Sequence, residues 1–266
     1  MSSIVLPNVH CIAIEGPDAR RFAQAQFSGD VESLAEGGWQ WNAWLDARGR
    51  VQALMHLACM GGDRFLAILR GGDAEQLRAG LARYLLRSKA TVMPRVFSGI
   101  ADDAVPAGQV DADARGAIVF GYGDRSLRLE PAGGEADAEA SNAWRLADIR
   151  AGWPTLPTGD ALFLPPALGL ERLGAVSFDK GCYPGQEIVA RLHYRGGHKL
   201  GLCHLRGPDW LEPGDTFDVD GVGPVRVLDC ATADGAAEAL AVIPQWDSST
   251  IMSLGRQYDV VSRYDA

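Results

Sequence analysis

Between Asp73 and Arg87 the apolar positions Ala74, Leu77, Leu81, Tyr84 and Leu85 recur at three- and four-residue intervals. That spacing puts them on one face of an α-helix, and Asp73 and Glu75 stand near its start, where negative charge is favoured. Gly80 is the one helix-weakening residue inside the stripe. A shorter helix is predicted over 19–27, where Ala19, Phe22 and Ala23 follow Gly16-Pro17-Asp18 and Asp18 can serve as N-cap. Around these helices the pattern is strand-like. VHCIAI (9–14) reads as one strand, and residues 39–60 as two strands joined at Asp46-Ala47-Arg48-Gly49. RFLAILR (64–70) follows the Gly61-Gly62-Asp63 turn, and KATVMPRVF (89–97) is another strand. The order strand, helix, strands, helix, strand predicts an α+β sandwich of ferredoxin-like type with its helices on one face of a sheet.

From 98 to 143 the chain is rich in Ala, Asp and Gly, with a hairpin-like piece at 116–130 and a loop, EPAGGEADAEAS, at 130–141. WRLADIRAGWP (144–154) reads as a short helix or a strand that returns to the main body. From about residue 200 short strands alternate with Gly, Pro and Asp, which predicts a small β-barrel over 200–266. The resulting division is 1–97, 98–199 and 200–266. No internal repeat is visible.

Composition adds limits. With 266 residues and an ordinary apolar content the chain can bury a sizeable core. No apolar run approaches the roughly 20 residues of a membrane helix, and the first residues lack the marks of a secretory signal. We therefore expect a cytoplasmic protein with no membrane partner. The net charge of −9 argues against direct nucleic-acid binding, which rests on clustered Lys and Arg. The charge is uneven: residues 101–140 hold nine acidic and three basic side chains, while 177–206 hold two acidic and five basic. An anionic small molecule would prefer the second region. Cys11, Cys59, Cys182, Cys203 and Cys230 are odd in number and contain no C-x-x-C pair. That argues against disulfides and against a self-contained zinc or iron–sulfur site, and no metal site is expected. All but Cys182 sit in apolar, strand-like runs and read as small buried hydrophobes.

Cys182 stands apart, in FDKGCYPGQEIVARLHYRGGHKLG (178–201). A thiol reacts as its thiolate. Lys180 places a positive charge two residues away, and a helix beginning near Gln186 would turn its unpaired N–H groups toward the thiol. Gly181 and Gly185 permit a tight loop, and Pro184 stiffens it. On a helix Glu187, Arg191 and Arg195 share one face, with Ile188, Val189 and Leu192 toward the core. The alternation from Ala190 to Arg195 also suits a strand; a helix through about 192 with an extended exit is the favoured form. Cys182 is then either a functional thiol or a loop residue without chemistry.

Lys180-Gly181-Cys182-Tyr183-Pro184-Gly185-Gln186-Glu187 resembles the K-G-C-Y-x-G-Q-E signature of the YgfZ family. These are folate-binding relatives of the glycine-cleavage T-protein (aminomethyltransferase) that act in iron–sulfur cluster assembly or repair. FAQAQFSGDV (22–31), DARGRV (46–51), RYLLRSKATV (83–92) and the approach to the signature resemble further family segments in order. The resemblance implies a T-protein-like fold, with two ferredoxin-like units around a central folate hollow, the second of them trimmed, and then the β-barrel. It implies tetrahydrofolate or a derivative as cofactor, and iron–sulfur enzymes or assembly proteins as partners, including tRNA-modifying radical enzymes. Cys182, Lys180, Tyr183, Gln186 and Glu187 would form the functional thiol motif. Trp144 matches a family tryptophan associated with folate and would either stack on a pterin or anchor the core. Arg191 or Lys199 could meet the folate carboxylates, or could sit in surface ion pairs.

The chain departs from the family pattern at Pro166, where Gln is usual, at Gly169, where Asn is frequent, and at Val9, in the place of a second folate-associated tryptophan. Three functions compete: an assembly factor with a working thiol, a folate-dependent one-carbon transferase, and a plain interaction module. The Cys182 loop favours the first, because methylene transfer to folate does not call for a cysteine.

Overall fold

The computed structural model describes residues 4–112, 116–157, 163–245, 247–253 and 255–264. The chain begins β1 (Ile4–Glu15), α1 (Ala19–Gln26), β2 (Trp39–Leu45), β3 (Val51–Cys59), β4 (Arg64–Leu69), α2 (Ala74–Ala82) and β5 (Thr91–Asp102). It continues with β6 (Val110–Ala112), β7 (Ile118–Gly121), β8 (Ser126–Pro131) and α3 (Ala138–Ala151). A 3-10 turn (Pro165–Leu168) and α4 (Gln186–Arg195) lead into β9 (Leu200–Gly207), β10 (Thr216–Val219), β11 (Gly223–Ala233), β12 (Ala236–Pro244), β13 (Thr250–Ser253) and β14 (Arg256–Tyr264).

The first eight strands form one antiparallel sheet in the order β2-β3-β4-β1-β5-β8-β7-β6. Its central strands are apolar on both sides because both faces are covered. Ile12, Ile14, Met55, Leu57 and Phe65 pack under α1 and α2 against Phe22, Ala23, Leu77 and Leu81. Cys11, Ala13, Leu54 and Ala58 point the other way, into a core shared with Ile149 of α3, Leu168, Tyr183, Val189 of α4, and Leu228, Leu240 and Val242 of the second sheet. α1 and α2 share one face of the sheet, and α3, from the segment after it, lies on the opposite face. The boundary expected at 97/98 falls inside β5, which pairs with β1 along one edge and β8 along the other, so the sheet runs through it.

The last six strands form a second sheet, β10-β11-β12-β9-β14-β13. Its edges meet where the Asp220 N–H donates to Met252 O at 3.1 Å and Ser253 Oγ donates to Asp218 O at 2.9 Å, curling the sheet into a nearly closed barrel.

Three elements differ from the sequence pattern. α2 stops at Ala82 and not near Arg87; tight turns follow (Leu85 N–H to Ala82 O, Ser88 N–H to Leu85 O) that bring the chain back to β5, and Tyr84 is left 52% exposed. α3 starts inside the segment expected as loop, where the Asp137 carboxylate caps Ala140 N–H at 2.9 Å, and it absorbs residues 144–151 as helix. It ends at Gly152, whose φ of 65° and contact with the Tyr264 ring exclude a side chain. α4 runs to Arg195, about a turn further than expected, and ends at Gly196.

Candidate functional site: a cavity at the sheet junction and an exposed thiol loop

α3 is fastened across the junction of the two sheets. Arg150 donates two hydrogen bonds, at 3.0 and 2.7 Å, to the buried Glu238 carboxylate of β12, which also meets His204 Nε2 at 2.8 Å. The Asn142 amide exchanges hydrogen bonds with Thr232 of β11, at 2.8 and 2.9 Å. Held in this way, Ser141, Trp144, Arg145 and Asp148 of α3, spaced i, i+3, i+4 and i+7, line a cavity of about 320 Å³. The other walls come from β1 (Leu6, Val9, His10), from the end of β4 (Ile68, Arg70), and from Tyr122, Leu127 and Asp229.

The floor of this cavity is charged. Asp148, 3% exposed, accepts from Arg70 at 2.8 Å and Arg125 at 2.5 Å. Burial opposes the charge on Arg70, yet Asp148 outweighs it and holds the guanidinium above its ordinary pKa. The Arg125 guanidinium lies 4.7 Å from the centre of the Trp144 ring, on one face of the indole, and the Tyr122 ring packs against it at 75°. Asp229 enters from β11 at a bulge between Val227 and Asp229 that re-aims the strand. Its carboxylate accepts from the Cys230 N–H at 2.9 Å, and burial pushes its pKa up to about 6. Beneath the Tyr122 wall, fully buried His56 contacts the Tyr122 hydroxyl at 3.1 Å among Trp39, Trp41 and Trp153; burial first, then Arg70 and Arg125, hold it neutral.

The thiol motif lies elsewhere. Cys182 is exposed, does not line the cavity, and makes no hydrogen bond among the described residues. Its loop is pinned on both sides. Lys180 donates to Phe27 O at 2.6 Å and Gly29 O at 2.8 Å, with its ammonium 5.2 Å from the Tyr183 ring centre. Burial lowers the Lys180 pKa to about 8 against the pull of Asp30 and Glu32. Gly185 caps α4 at φ 77°, and a Cβ there would stand 2.5 Å from Asp46 O and 2.7 Å from the Gly49 backbone. The thiol loop is therefore docked onto FSGD (27–30) and DARGR (46–50), two of the segments that resemble the family pattern. Lys180 is an anchor for the loop rather than a hydrogen-bond partner of the sulfur.

Tyr183 is buried, its hydroxyl donating to Ser177 O at 3.4 Å and its pKa pushed up to about 12 by burial and by Glu171. Gln186 opens α4 half-buried, and Glu187 follows it exposed. Arg191 and Lys199 are exposed and do not line the cavity. Val9 does line it, as an aliphatic wall where an aromatic one was expected to be missing. Arg70, Arg125, Asp148 and Asp229 were not found from sequence. The available signals were a carboxylate in the otherwise apolar VLDCA (227–231), an Arg closing RFLAILR, and Asp148 one turn after Trp144. Among the described residues no group of His, Cys, Asp or Glu side chains could hold a metal ion, and no helix is long and apolar enough to cross a membrane.

A continuous antiparallel sheet, a cavity at its junction with a nearly closed barrel and a helix roofing both make a fold that solved structures share. The chain superposes on aminomethyltransferase T of the glycine cleavage system from Bartonella henselae with a TM-score of 0.70, covering 96% of this chain and 83% of that one at 13% identity. No family model matches the chain. It is 31% identical over 242 residues to the tRNA-modifying protein YgfZ of Cronobacter sakazakii, spanning 78% of this chain and 71% of the relative. To the YgfZ protein of Escherichia coli O127:H6 it is 30% identical over 223 residues, 73% of this chain and 68% of the relative. The chain belongs to the YgfZ family.

Proposed function

We propose that this protein is a folate-binding accessory factor in the assembly or repair of iron–sulfur clusters, including those of tRNA-modifying enzymes, with Cys182 as its working thiol. The observation that carries the folate half is the cavity at Trp144. At about 320 Å³ it is at the small end of ligand pockets, roughly 300–1,000 Å³. It suits a two-ring heterocycle with a tail leaving through the mouth. An indole in the wall, aliphatic neighbours and a few fixed charges are what a pterin needs. Tetrahydrofolate bound there would supply a reduced one-carbon carrier; the chain's own residues orient it and shield it from water.

The thiol half rests on exposure. One thiolate cannot retain a cluster, so the cluster or its sulfur is cargo, shared with a partner, a small thiol or a second copy. Because Cys182 does not line the cavity, the folate and the cargo occupy separate places on the molecule. The relatives' printed name, tRNA-modifying protein, suits clients that thiolate tRNA, with the contact made to the enzymes and not to the RNA.

The fold favours a second reading, a one-carbon transferase, because a neighbour of known structure is an aminomethyltransferase. Rescue of iron–sulfur enzyme activity in a strain lacking the gene separates the two. Wild type should restore it, Cys182→Ser should not, and Trp144→Ala should restore it only in part. Full rescue by Cys182→Ser ends the thiol assignment, and turnover of a methylene donor by the pure protein would establish the transferase.

A further inference from the structure

The cavity holds two opposite charges, Asp229 and Arg145, that feel one another yet form no close ion pair among the described residues. Asp229 is 8% exposed and lines the cavity. One of its oxygens accepts from the Cys230 N–H; the other has no hydrogen-bond partner among the described residues. The residue is nearly buried and lines the cavity, so that oxygen is open to a donor on a ligand. Arg145 lines the same cavity, 5.8 Å from the centre of the Trp210 ring, and makes no hydrogen bond or ion pair among the described residues. Every other buried charge in this region is paired: Asp148 takes both Arg70 and Arg125.

Resting on the folate reading above, we propose that Asp229 selects the ligand. Its carboxylate accepts hydrogen bonds from adjacent N–H donors on the edge of a flat heterocycle, an aminopyrimidine ring above all, while Arg145 takes an anionic group on the same molecule. The reading group thus comes from the barrel and the stacking group from α3, so the ligand bridges the two sheets. A carboxylate can accept two parallel N–H donors, and in a site shielded from water such a charge-assisted pair is strong.

The arrangement has a pH signature, because a protonated Asp229 offers a donor where the ligand also donates. The charged groups facing Asp229 are Arg145 and Asp148 of α3 and Arg70 at the end of β4; His10 of β1 also lines the cavity. With the Asp229 pKa at about 6, binding should weaken about tenfold from pH 7.5 to pH 5.

The test is calorimetric titration of wild type, Asp229→Asn and Arg145→Gln with tetrahydrofolate, 6-methylpterin (no tail) and p-aminobenzoylglutamate (no pterin). Asn keeps an acceptor for Cys230 N–H, so the fold is preserved. Asp229→Asn should weaken tetrahydrofolate and 6-methylpterin by roughly tenfold or more, leave p-aminobenzoylglutamate unchanged and flatten the pH dependence. Arg145→Gln should do the reverse, weakening only ligands with the anionic tail. Unchanged affinity and pH profile in Asp229→Asn, with wild type binding tetrahydrofolate, overturns this inference and leaves the folate reading standing. Failure of wild type to bind any of the three overturns both.

Discussion

Asp148→Ala is the substitution that most directly probes the cavity floor. The carboxylate is 4% exposed and neutralises two guanidiniums that are 12% and 13% exposed. Removing one partner of a buried pair typically costs about 3–5 kcal/mol, because the remaining charge is left desolvated; here two charges of the same sign would remain. Part of the loss is offset. Arg70 keeps Thr155 Oγ1 at 3.1 Å, and Arg125 keeps the Trp144 ring and a 3.5 Å contact with Asp124. Against that, the Nε of each arginine is already buried without a partner. These corrections place the expected loss near 3 kcal/mol, or roughly 6–12 °C in Tm for a chain of this size. Urea and thermal unfolding followed by tryptophan fluorescence would measure it. A second substitution, Arg125→Met in the Asp148→Ala background, should recover part of the loss by removing one stranded charge. A loss below about 1 kcal/mol, or no recovery in the double variant, would refute the claim that this triad sets the cavity floor.

Other consequences follow from the thiol loop. Gly185→Ala combines a left-handed φ with backbone contacts that cannot yield, and should cost at least about 2 kcal/mol in urea unfolding; a neutral result would mean the loop is not docked on the Asp46–Gly49 turn. Lys180 is held below its ordinary pKa, at about 8, so between pH 8 and 10.5 the folded chain carries fewer protons than the unfolded one. Stability relative to Lys180→Met should therefore rise with pH across that window, and a fall would contradict the burial of the ammonium. Native protein should titrate with one fast thiol of the five, the fast phase vanishing in Cys182→Ser, because the other four cysteines are buried; a second fast thiol would contradict that burial.

The sequence carried the local structure wherever one physical rule acted alone. Apolar runs marked most strands of both sheets, though not β13, and Asp46-Ala47-Arg48-Gly49 marked the turn between β2 and β3. Where two demands competed, the pattern misled. The stripe through Tyr84 and Leu85 continues α2 on paper, yet the chain must turn there to reach β5. The Ala- and Glu-rich stretch before Trp144 reads as loop until Asp137 caps it and the junction between sheets gives α3 a surface to cover. The site divided in the same way. Cys182 and its signature are contiguous and stood out. The cavity draws Arg70, Asp148 and Asp229, with Arg125 paired to Asp148, from segments far apart in the chain, and periodicity does not tell that they converge. Lys180 shows the difference most clearly: two residues from the thiol in sequence, it spends its ammonium on Phe27 and Gly29.

The central claim is that the space beside Trp144 is a folate site. Titration of the protein with tetrahydrofolate, read by calorimetry and by indole fluorescence, tests it directly. The account predicts saturable one-to-one binding with quenching that is largely lost in Trp144→Leu, and an unchanged affinity in Cys182→Ser. Absence of binding at saturating tetrahydrofolate, or binding that Trp144→Leu leaves intact, would contradict it.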